Sequence, residues 1–279
     1  MVIKVLKNAG EYENFNREKL RDSLLRSSAS LVTTNDVIKK IESNLVEGMS
    51  TSQIYSLAFS YLNKKEKRTA MRYSVKRSVL DLGPTGFPFE KYVAKIFDSK
   101  GFKTMVGITL PGKCIEHEVD VIAYDKNELI LMEVKFHNSI SIKTDTKVAL
   151  YVKARWDDLK GIDVKLENGL KEKPTRGILT TNTDFTQSAI DYGKCSHLEM
   201  ISWNYPHRGN LFDLIRDTGQ HPVTVINDLS KHHKEKLIEM GYITANQVLE
   251  NPNVLLEIGM NKNRKSRILE DIKDVCEIG

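Results

Sequence analysis

The sequence predicts a multidomain α/β protein with a mostly helical N-terminal part, a central α/β part containing a mixed sheet, and an all-α C-terminal part. Helix-length amphipathic patterns continue to residue 80, and LGPTGFP (82–88), with two glycines and two prolines, then interrupts all periodicity. Strand patterns follow, and only helical patterns return after residue 228. We therefore expect domains at 1–82, 83–205 and 229–279, with a linker or a packing extension at 206–228.

The positive charge of the chain is concentrated in its first third. With 40% hydrophobic and 28% charged residues, the composition is typical of a globular protein in water. Residues 1–82 contain 15 Lys and Arg against 9 Asp and Glu, residues 83–228 contain 19 against 20, and residues 229–279 contain 8 against 8. The excess predicts an anionic ligand for the N-terminal part, either polyphosphate or nucleic acid, with a solvated basic surface as the alternative.

Two absences in the sequence exclude other classes of protein. There is no apolar run of about 18 residues, and the first residues show no apolar segment followed by a cleavage site, so we expect no membrane partner and a cytoplasmic location. The three cysteines, Cys114, Cys195 and Cys276, lie far apart without a CxxC pair. This spacing favours unpaired thiols in a reducing compartment over a zinc ribbon.

The N-terminal part is predicted to contain one short strand and four helices. VIKVLK (2–7) alternates enough to form a strand, and NAG then forms a turn. Asn35 with Asp36, and Thr51 with Ser52, provide capping signals for the second and third helices. The predicted helices cover residues 17–30, 35–46, 51–63 and 66–80.

The central part is predicted to run as helix, antiparallel hairpin and β-α-β unit. The apolar residues of FEKYVAKIFDSKGF (89–102) share one helical face, and the hairpin lies in EVDVIAYDKNELILMEVKFHN (118–138). A helical or mixed stretch follows at 147–161. TRGILTTNTDFTQSAIDYGKCSHLEMISWN (175–204) is typical of strand, helix, strand, and such a crossover joins parallel strands, which makes the sheet mixed.

The hairpin carries ionisable residues in an otherwise apolar strand pair. With the turn at residues 126–127, Asp120 lies opposite Glu133, and Lys135 projects from the same face as Glu133. Charges in such an interior strand cost several kcal/mol unless they are paired or metal-bound. Two neighbouring carboxylates therefore predict a hard divalent cation such as Mg²⁺. The alternative is a salt-bridged strand end in which Lys135 neutralises Glu133.

Asp120, followed across the hairpin by Glu133-Val134-Lys135, resembles the signature of the PD-(D/E)xK nucleases, and their Mrr-like restriction-endonuclease branch in particular. Glu90 matches the carboxylate that this family often carries on the preceding helix. The resemblance covers residues 84–205 and implies a restriction-endonuclease-like α/β fold.

The resemblance also implies a set of roles for the catalytic residues. Asp120, Glu133 and the carbonyl of Val134 would bind Mg²⁺ or Mn²⁺. Lys135 would orient the attacking water or offset charge on the phosphate, and Glu90 would bind the metal indirectly or assist proton transfer. Of the neighbouring residues, Glu118 is expected to form a salt bridge with Lys135, and His117 to lie on the surface.

VLKNAGEYENFNREKL (5–20) resembles the start of the ATP-cone, the nucleotide-sensing module of ribonucleotide reductases and their repressors. The residues on the family pattern are Val5, Lys7, Gly10, Glu13, Asn16 and Lys19, with Thr51 at a later position, whereas Asn8, Ala9 and Tyr55 depart from it. The resemblance implies that Lys7 and Lys19 bind the phosphates of ATP or dATP, Glu13 and Asn16 shape the pocket, and Val5 packs on the base. The alternative is a basic helical domain that contacts DNA and binds no nucleotide.

LIEMGYITANQVL (237–249) and LLEIGMNKNRKSRILEDI (255–272) resemble two helix-hairpin-helix units, each with a glycine in its turn. In such motifs the glycine lets backbone amides approach DNA phosphates without contacting bases. The basic residues at the second turn give the predicted DNA-binding set Lys262, Arg264, Lys265 and Arg267. The alternative is a small helical domain for dimerisation or packing.

These observations predict a Mg²⁺-dependent DNA endonuclease of the restriction or genome-defence type, regulated by nucleotide binding to the ATP-cone. The expected partners are double-stranded DNA, an adenine nucleotide and, by analogy, a second copy in a homodimer. No Walker-type motif occurs, so the nucleotide is expected to bind without hydrolysis. The alternatives are a non-catalytic, nucleotide-responsive DNA-binding protein with a vestigial nuclease core, and a nuclease acting on RNA or branched DNA.

Overall fold

The N-terminal part is a helical bundle with a small antiparallel hairpin beside it. The structure is a computed structural model that describes residues 3–7 and 10–276, so Val2, Asn8 and Ala9 lie outside the described residues. Its elements are β1 (Lys4–Leu6), β2 (Tyr12–Asn14), α1 (Arg17–Arg26), α2 (Leu31–Asn44), α3 (Thr51–Lys65) and α4 (Lys67–Leu80).

Serines act as the N-caps of α2 and α3, and the start of α2 differs from the predicted one. Ser30 accepts the Thr33 N–H, so α2 begins at Leu31 rather than near residue 35. Ser50 and Gln53 form a reciprocal capping box at the start of α3, one residue before the predicted cap. The four helices bury a common core that includes Leu24, Ile38, Ile41, Ala58 and Leu62.

The central part is a five-stranded mixed sheet with helices on both faces. The sheet order is β11-β9-β5-β4-β3, with β5 paired antiparallel to β4 and parallel to β9. The central strand is therefore apolar on both faces, as its sequence predicts. The elements are α5 (Phe87–Ser99), β3 (Lys103–Pro111), β4 (Glu116–Tyr124), β5 (Leu129–Lys135), β6 (Lys143–Thr144), α6 (Thr146–Leu159), β7 (Val164–Lys165), β8 (Lys171–Glu172), β9 (Arg176–Thr181), β10 (Asp184–Phe185), α7 (Gln187–Ser196) and β11 (Glu199–Ile201).

The predicted hairpin register is confirmed by the β4–β5 ladder, in which Val121 pairs with Met132 and Tyr124 with Leu129. The carboxylate of Asp125 fixes the turn by accepting the N–H groups of Asn127 (2.8 Å) and Glu128 (2.9 Å). The predicted β-α-β unit is also present, because β11 lies parallel to β9 after the α7 crossover.

The β3–β4 hairpin bends where Gly107 lies level with Asp120. Val106 and Val121 pack on the face of the sheet that α5 covers, whereas Ile108 and Val119 pack on the face that α6 covers. Residues two apart in a strand normally share one face, so the alternation of side chains is interrupted here. Gly107 adopts φ +65°, a conformation open mainly to glycine. On the N-terminal side of Val121, β4 no longer pairs with β5 and turns away from it.

The C-terminal part packs into the same core as the sheet. The segment 206–228, predicted as a linker or a packing extension, forms α8 (Leu211–Thr218) and a 3-10 helix (Val223–Val225), with Val223, Val225 and Ile226 fully buried against α4 and the last helices. The remaining elements are α9 (Lys231–Glu239), α10 (Ala245–Glu250), α11 (Val254–Glu257) and α12 (Lys262–Cys276).

The last four helices form two similar helix-turn-helix units. The N–H groups of Gly241 and Tyr242 bond to the carbonyls of Ile238 and Leu237, and those of Gly259 and Met260 bond to Leu256 and Leu255 in the same way. Both glycines have positive φ, as the predicted turns require. Across residues 3–7 and 10–276, the structure contains no helix with the length and apolar character needed to cross a membrane.

Candidate functional site

The candidate site lies at the carboxyl end of β5, where β4 separates from it. Asp120 occupies the gap between the two strands, and its carboxylate accepts the Val134 N–H at 2.7 Å. The hydrogen bond replaces the ladder pair between Asp120 and Glu133 that the sequence predicts, because the bend of β4 has carried its backbone away. The carboxylates of Asp120 and Glu133 nevertheless lie close enough to repel each other. Lys135 follows on the same strand with an exposed side chain.

Glu90 reaches this cluster from the first turn of α5, on the opposite face of the sheet from α6. Burial, followed by repulsion from Asp120, Glu118 and Glu133, raises the pKa of Glu90 to about 7. A Cβ added at Gly86 would lie 3.4 Å from the Glu90 carboxylate, so this glycine leaves room for it. The structure therefore brings together Glu90, Asp120 and Glu133.

Burial is the largest influence on the pKa values of these carboxylates. Burial and then the charge of Asp120 raise the pKa of Glu133 to about 7, against the opposing effects of nearby cations. Burial also raises the pKa of Asp120, although the Val134 N–H stabilises its ionised form. The cluster is therefore a site where an additional positive charge would be stabilised.

Arg155 of α6 is a member of the cluster that the sequence analysis missed. Its guanidinium forms an ion pair with Glu133, in which the two side chains are 13% and 14% exposed, and it also donates to the carbonyl of Glu118. Arg155 lies on the buried stripe of α6 between Val152 and Leu159. A basic residue on an apolar stripe is the signal that predicts an acidic partner at that depth.

A second contact holds α6 in place beside the cluster. The carboxylate of Asp158 accepts the Cys114 N–H (2.8 Å) at the tip of the β3–β4 hairpin and contacts Nε2 of His117 at 2.8 Å. His117, expected on the surface, is thus part of a clamp between the hairpin and α6. Hydrogen bonds from His117 and the hairpin outweigh the effect of burial and lower the pKa of Asp158 to about 2.

The oxygen donors of the cluster suit Mg²⁺ in chemical type. In the part of the chain that the structure describes, however, no three His, Cys, Asp or Glu side chains form a ready metal-binding group. Glu133 is engaged by Arg155, and Asp120 is engaged by the Val134 N–H. Metal binding to Glu133 would therefore require release of Arg155, and the metal set of Asp120, Glu133 and Val134 stays a prediction.

In the N-terminal part, Glu13 contacts both of the lysines that are predicted to bind phosphate. Lys7 Nζ lies 2.8 Å and Lys19 Nζ 3.6 Å from Glu13 Oε2. The hydrogen bond from Lys7 lowers the pKa of Glu13. Asn16 is the N-cap of α1 and accepts the Lys19 N–H at 3.0 Å. Lys7, Glu13 and Lys19 therefore form one small polar group.

The other two predicted nucleotide ligands occupy different environments. Thr51 is the first residue of α3, and the preceding Ser50 bridges to Leu6, so the end of β1 lies beside this helix N-terminus. Val5 is 2% exposed and packs with the helical core. Its side chain therefore has little surface left for a purine base.

The predicted DNA-binding residues of α12 mostly contact the protein itself. Arg267 forms an ion pair with Asp228 at 2.9 Å, and Arg264 donates to the Asp228 carbonyl. Lys265 Nζ lies 2.7 Å from Asn253 Oδ1. Lys262 is exposed at the start of the helix. DNA binding by this set stays a prediction.

Comparison with known families identifies two regions. The ATP cone domain family matches residues 3–81, which confirms the ATP-cone prediction and implies nucleotide-binding regulation. A family described as AF1548-like, C-terminal, matches residues 221–276. The chain is therefore mixed α/β and multidomain, with an ATP-cone at its N-terminal end.

Known proteins resemble parts of the chain of different extent. An uncharacterized protein of Archaeoglobus fulgidus is 28% identical over 184 residues, covering 66% of this chain and 99% of the relative. The crystal structure of a protein of unknown function, AF1548, has a TM-score of 0.54 and 26% identity, covering 69% of this chain and 98% of that one. The MspJI restriction endonuclease bound to a 27-mer oligonucleotide reaches a TM-score of only 0.31 at 14% identity, covering 48% of this chain and 29% of that one. The PD-(D/E)xK assignment stays a prediction.

Proposed function

We propose that the protein is a divalent-metal-dependent nuclease acting on DNA, with its activity regulated by nucleotide binding to the ATP-cone. The observation that supports this function is the meeting of Glu90, Asp120 and Glu133 where β4 and β5 separate, with Lys135 on the same strand. Arg155 neutralises part of this charge, but Glu90 and Asp120 form no ion pair among the described residues, so a bound cation would offset the remaining repulsion.

Each residue of the cluster has a task in phosphodiester hydrolysis under this proposal. Asp120 and Glu133 hold the cation, which would neutralise charge on the phosphate and help to ionise a water. Lys135 is free to orient the water or to stabilise charge on the phosphate oxygens. Glu90, with a pKa of about 7, is suited to exchange a proton near neutral pH.

Nicking of supercoiled plasmid by the purified full chain tests the catalytic proposal. We expect relaxed and linear products with Mg²⁺, none with a chelator, and none from Glu133→Ala. Glu116→Ala, which changes an exposed glutamate of the same hairpin, is the matched control and should cleave like the unaltered protein. Equal nicking by Glu133→Ala and the unaltered protein would reject the assignment.

A non-catalytic, nucleotide-responsive DNA-binding protein is the competing function. The observation that favours it is the pairing of Glu133 with Arg155, which fills the cluster with a cation supplied by the chain itself. The same assay separates the two functions, because a protein with a vestigial core would bind plasmid and leave it intact in Mg²⁺ or Mn²⁺.

Equilibrium dialysis with ATP and dATP tests the regulatory proposal. We expect saturable binding by the unaltered protein and a loss of affinity of about a hundredfold or more in Lys7→Ala/Lys19→Ala, because two charge-assisted hydrogen bonds of about 1.5–3 kcal/mol each are lost. Lys39→Ala/Lys40→Ala removes the same charge from the outer face of α2 and should bind normally. If the unaltered protein bound no nucleotide, or if both double variants bound it with the same affinity, the predicted nucleotide pocket would be wrong.

A further inference from the structure

A basic cleft lies between the ATP-cone and the carboxyl edge of the central sheet. It has a volume of about 270 Å³, and α1 and α4 form one wall while residues after β11 form the other. Its lining includes four basic residues, Lys19, Arg26, Arg72 and Lys76, against one acidic residue, Asp22. The lining therefore has an excess of positive charge, although Lys19 and Lys76 also pair with Glu13 and Asp184, which lie outside it.

Aromatic rings, an amide oxygen and one carboxylate hold Arg26 and Lys76 in place. Arg26 donates to Oδ1 of Asn204 at 3.0 Å, and its guanidinium carbon lies 4.5 Å from the centre of the Phe212 ring. Lys76 Nζ lies 5.5 Å from the centre of the Trp203 ring and 3.7 Å from Oδ2 of Asp184. Both cations are thus positioned but incompletely neutralised, an arrangement that suits a phosphate group.

Lys76 is the more unusual of these two cations. Its side chain is 23% exposed, and burial lowers its pKa even though Asp184 opposes the shift. A lysine in such a place destabilises the empty cleft, and an anion beside it would relieve that cost.

The sheet places this cleft on the same edge as the carboxylate cluster. β5, β9 and β11 are parallel, so their carboxyl ends, at Lys135, Thr181 and Ile201, point the same way. Trp203 follows β11 and donates its N–H to the Thr183 carbonyl at 2.8 Å. Two strand spacings, about 10 Å, separate the ends of β5 and β11. This distance equals the rise of about three nucleotides along one strand of a duplex.

We propose that this cleft binds backbone phosphates of a nucleic-acid strand whose neighbouring nucleotides lie at the carboxylate cluster, with Arg26 and Lys76 as the principal contacts. That the same strand also reaches the carboxylate cluster rests on the proposed nuclease function. The charge and shape of the cleft do not depend on that function. The ATP-cone then contacts the substrate directly, in addition to any nucleotide it binds. A free nucleotide offers the same phosphate chemistry, and the experiment distinguishes the two sources.

The test measures binding of a labelled 20-base-pair duplex by fluorescence anisotropy between 50 and 200 mM salt. All proteins carry Glu133→Ala, so the DNA stays intact, and the variants are Arg26→Gln, Lys76→Met and the pair together. Losing two phosphate contacts should reduce the steepness of log affinity against log salt by about 1.8. Between 50 and 200 mM salt, the double variant should therefore lose about tenfold less affinity than its parent. Lys40→Met, on the outer face of α2, should keep the slope of the parent protein.

Dialysis with ATP and a thermal unfolding scan complete the test. The proposal requires that the double variant lose duplex affinity while its ATP affinity stays unchanged and its unfolding midpoint does not fall. Loss of ATP affinity with unchanged duplex binding would assign the cleft to a free nucleotide and overturn the proposal, as would unchanged binding of both ligands. Absence of Mg²⁺-dependent nicking by the unaltered protein would reject the nuclease function and leave this binding result standing.

Discussion

Asp120→Asn is expected to reduce Mg²⁺-dependent nicking by about a hundredfold or more while leaving the fold intact. The asparagine oxygen can still accept the Val134 N–H, which Asp120 accepts at 2.7 Å. The variant lacks the negative charge that would bind the cation under the proposed function, and loss of that stabilisation would cost several kcal/mol in the transition state. Plasmid nicking and thermal unfolding, measured on the same preparation, separate the two roles of this side chain.

Asp120→Ala provides the contrast, because it removes both the charge and the acceptor. We expect the same loss of nicking, with a further decrease of about 1–3 kcal/mol in the free energy of unfolding, since the buried Val134 N–H is left without a partner. Asp125→Asn at the hairpin turn is the matched control and should retain activity. Nicking by Asp120→Asn at the rate of the unaltered protein would show that this carboxylate is not needed for catalysis.

Arg155→Met should lower the free energy of unfolding at pH 8 by about 3–5 kcal/mol, because it leaves the mostly buried Glu133 carboxylate without its ion-pair partner. Urea unfolding followed by circular dichroism measures the change. Millimolar Mg²⁺ should recover part of the lost stability if the cluster accepts a cation, since a ligand that binds the folded state stabilises it.

The cost of Arg155→Met should also depend on pH. The folded-state pKa of Glu133, about 7, lies above its ordinary value, so the folded protein binds the extra proton between these values and its stability falls as pH rises through that range. Without Arg155 this pKa rises further, so the cost is smaller at pH 5 than at pH 8.

Lys160→Met at the end of the same helix is the control for this series. It removes an exposed lysine paired with Asp157 and should cost no more than about 0.5 kcal/mol at either pH. A cost for Arg155→Met that matches this small value, or that does not change with pH, would contradict the assigned role of the ion pair.

The parts of the site that local rules govern could be predicted from the sequence. The turn at residues 126–127 fixes the register of β5, so the meeting of Asp120 with the end of β5 follows from pattern alone. The bend at Gly107 could not be predicted, because it depends on how β3 and β4 divide their side chains between two helical layers. That bend converts an expected ladder pair into a side-chain hydrogen bond.

Contacts between distant segments account for the remaining differences. The sequence of α6 shows an arginine on a buried stripe, but only the folded chain shows that Glu133 is its partner. Likewise, the amphipathic pattern of α8 predicts a buried face without revealing what covers it, and the prolines around it favoured a linker. In the structure Leu211 and Ile215 pack with α5 and the 3-10 helix in one core.

Helix α4 belongs to two hydrophobic cores at once. Ala70 packs with the helical bundle of the ATP-cone, whereas Met71, Val75 and Val79 pack with the sheet and the last helices. Its first residue, Lys67, is tied to Asp271 of α12. Any rigid-body rotation of α4 that tightens the helical bundle must also shift its side chains in the core of the sheet and the last helices. The two regions are therefore coupled through one shared helix and not through a flexible linker.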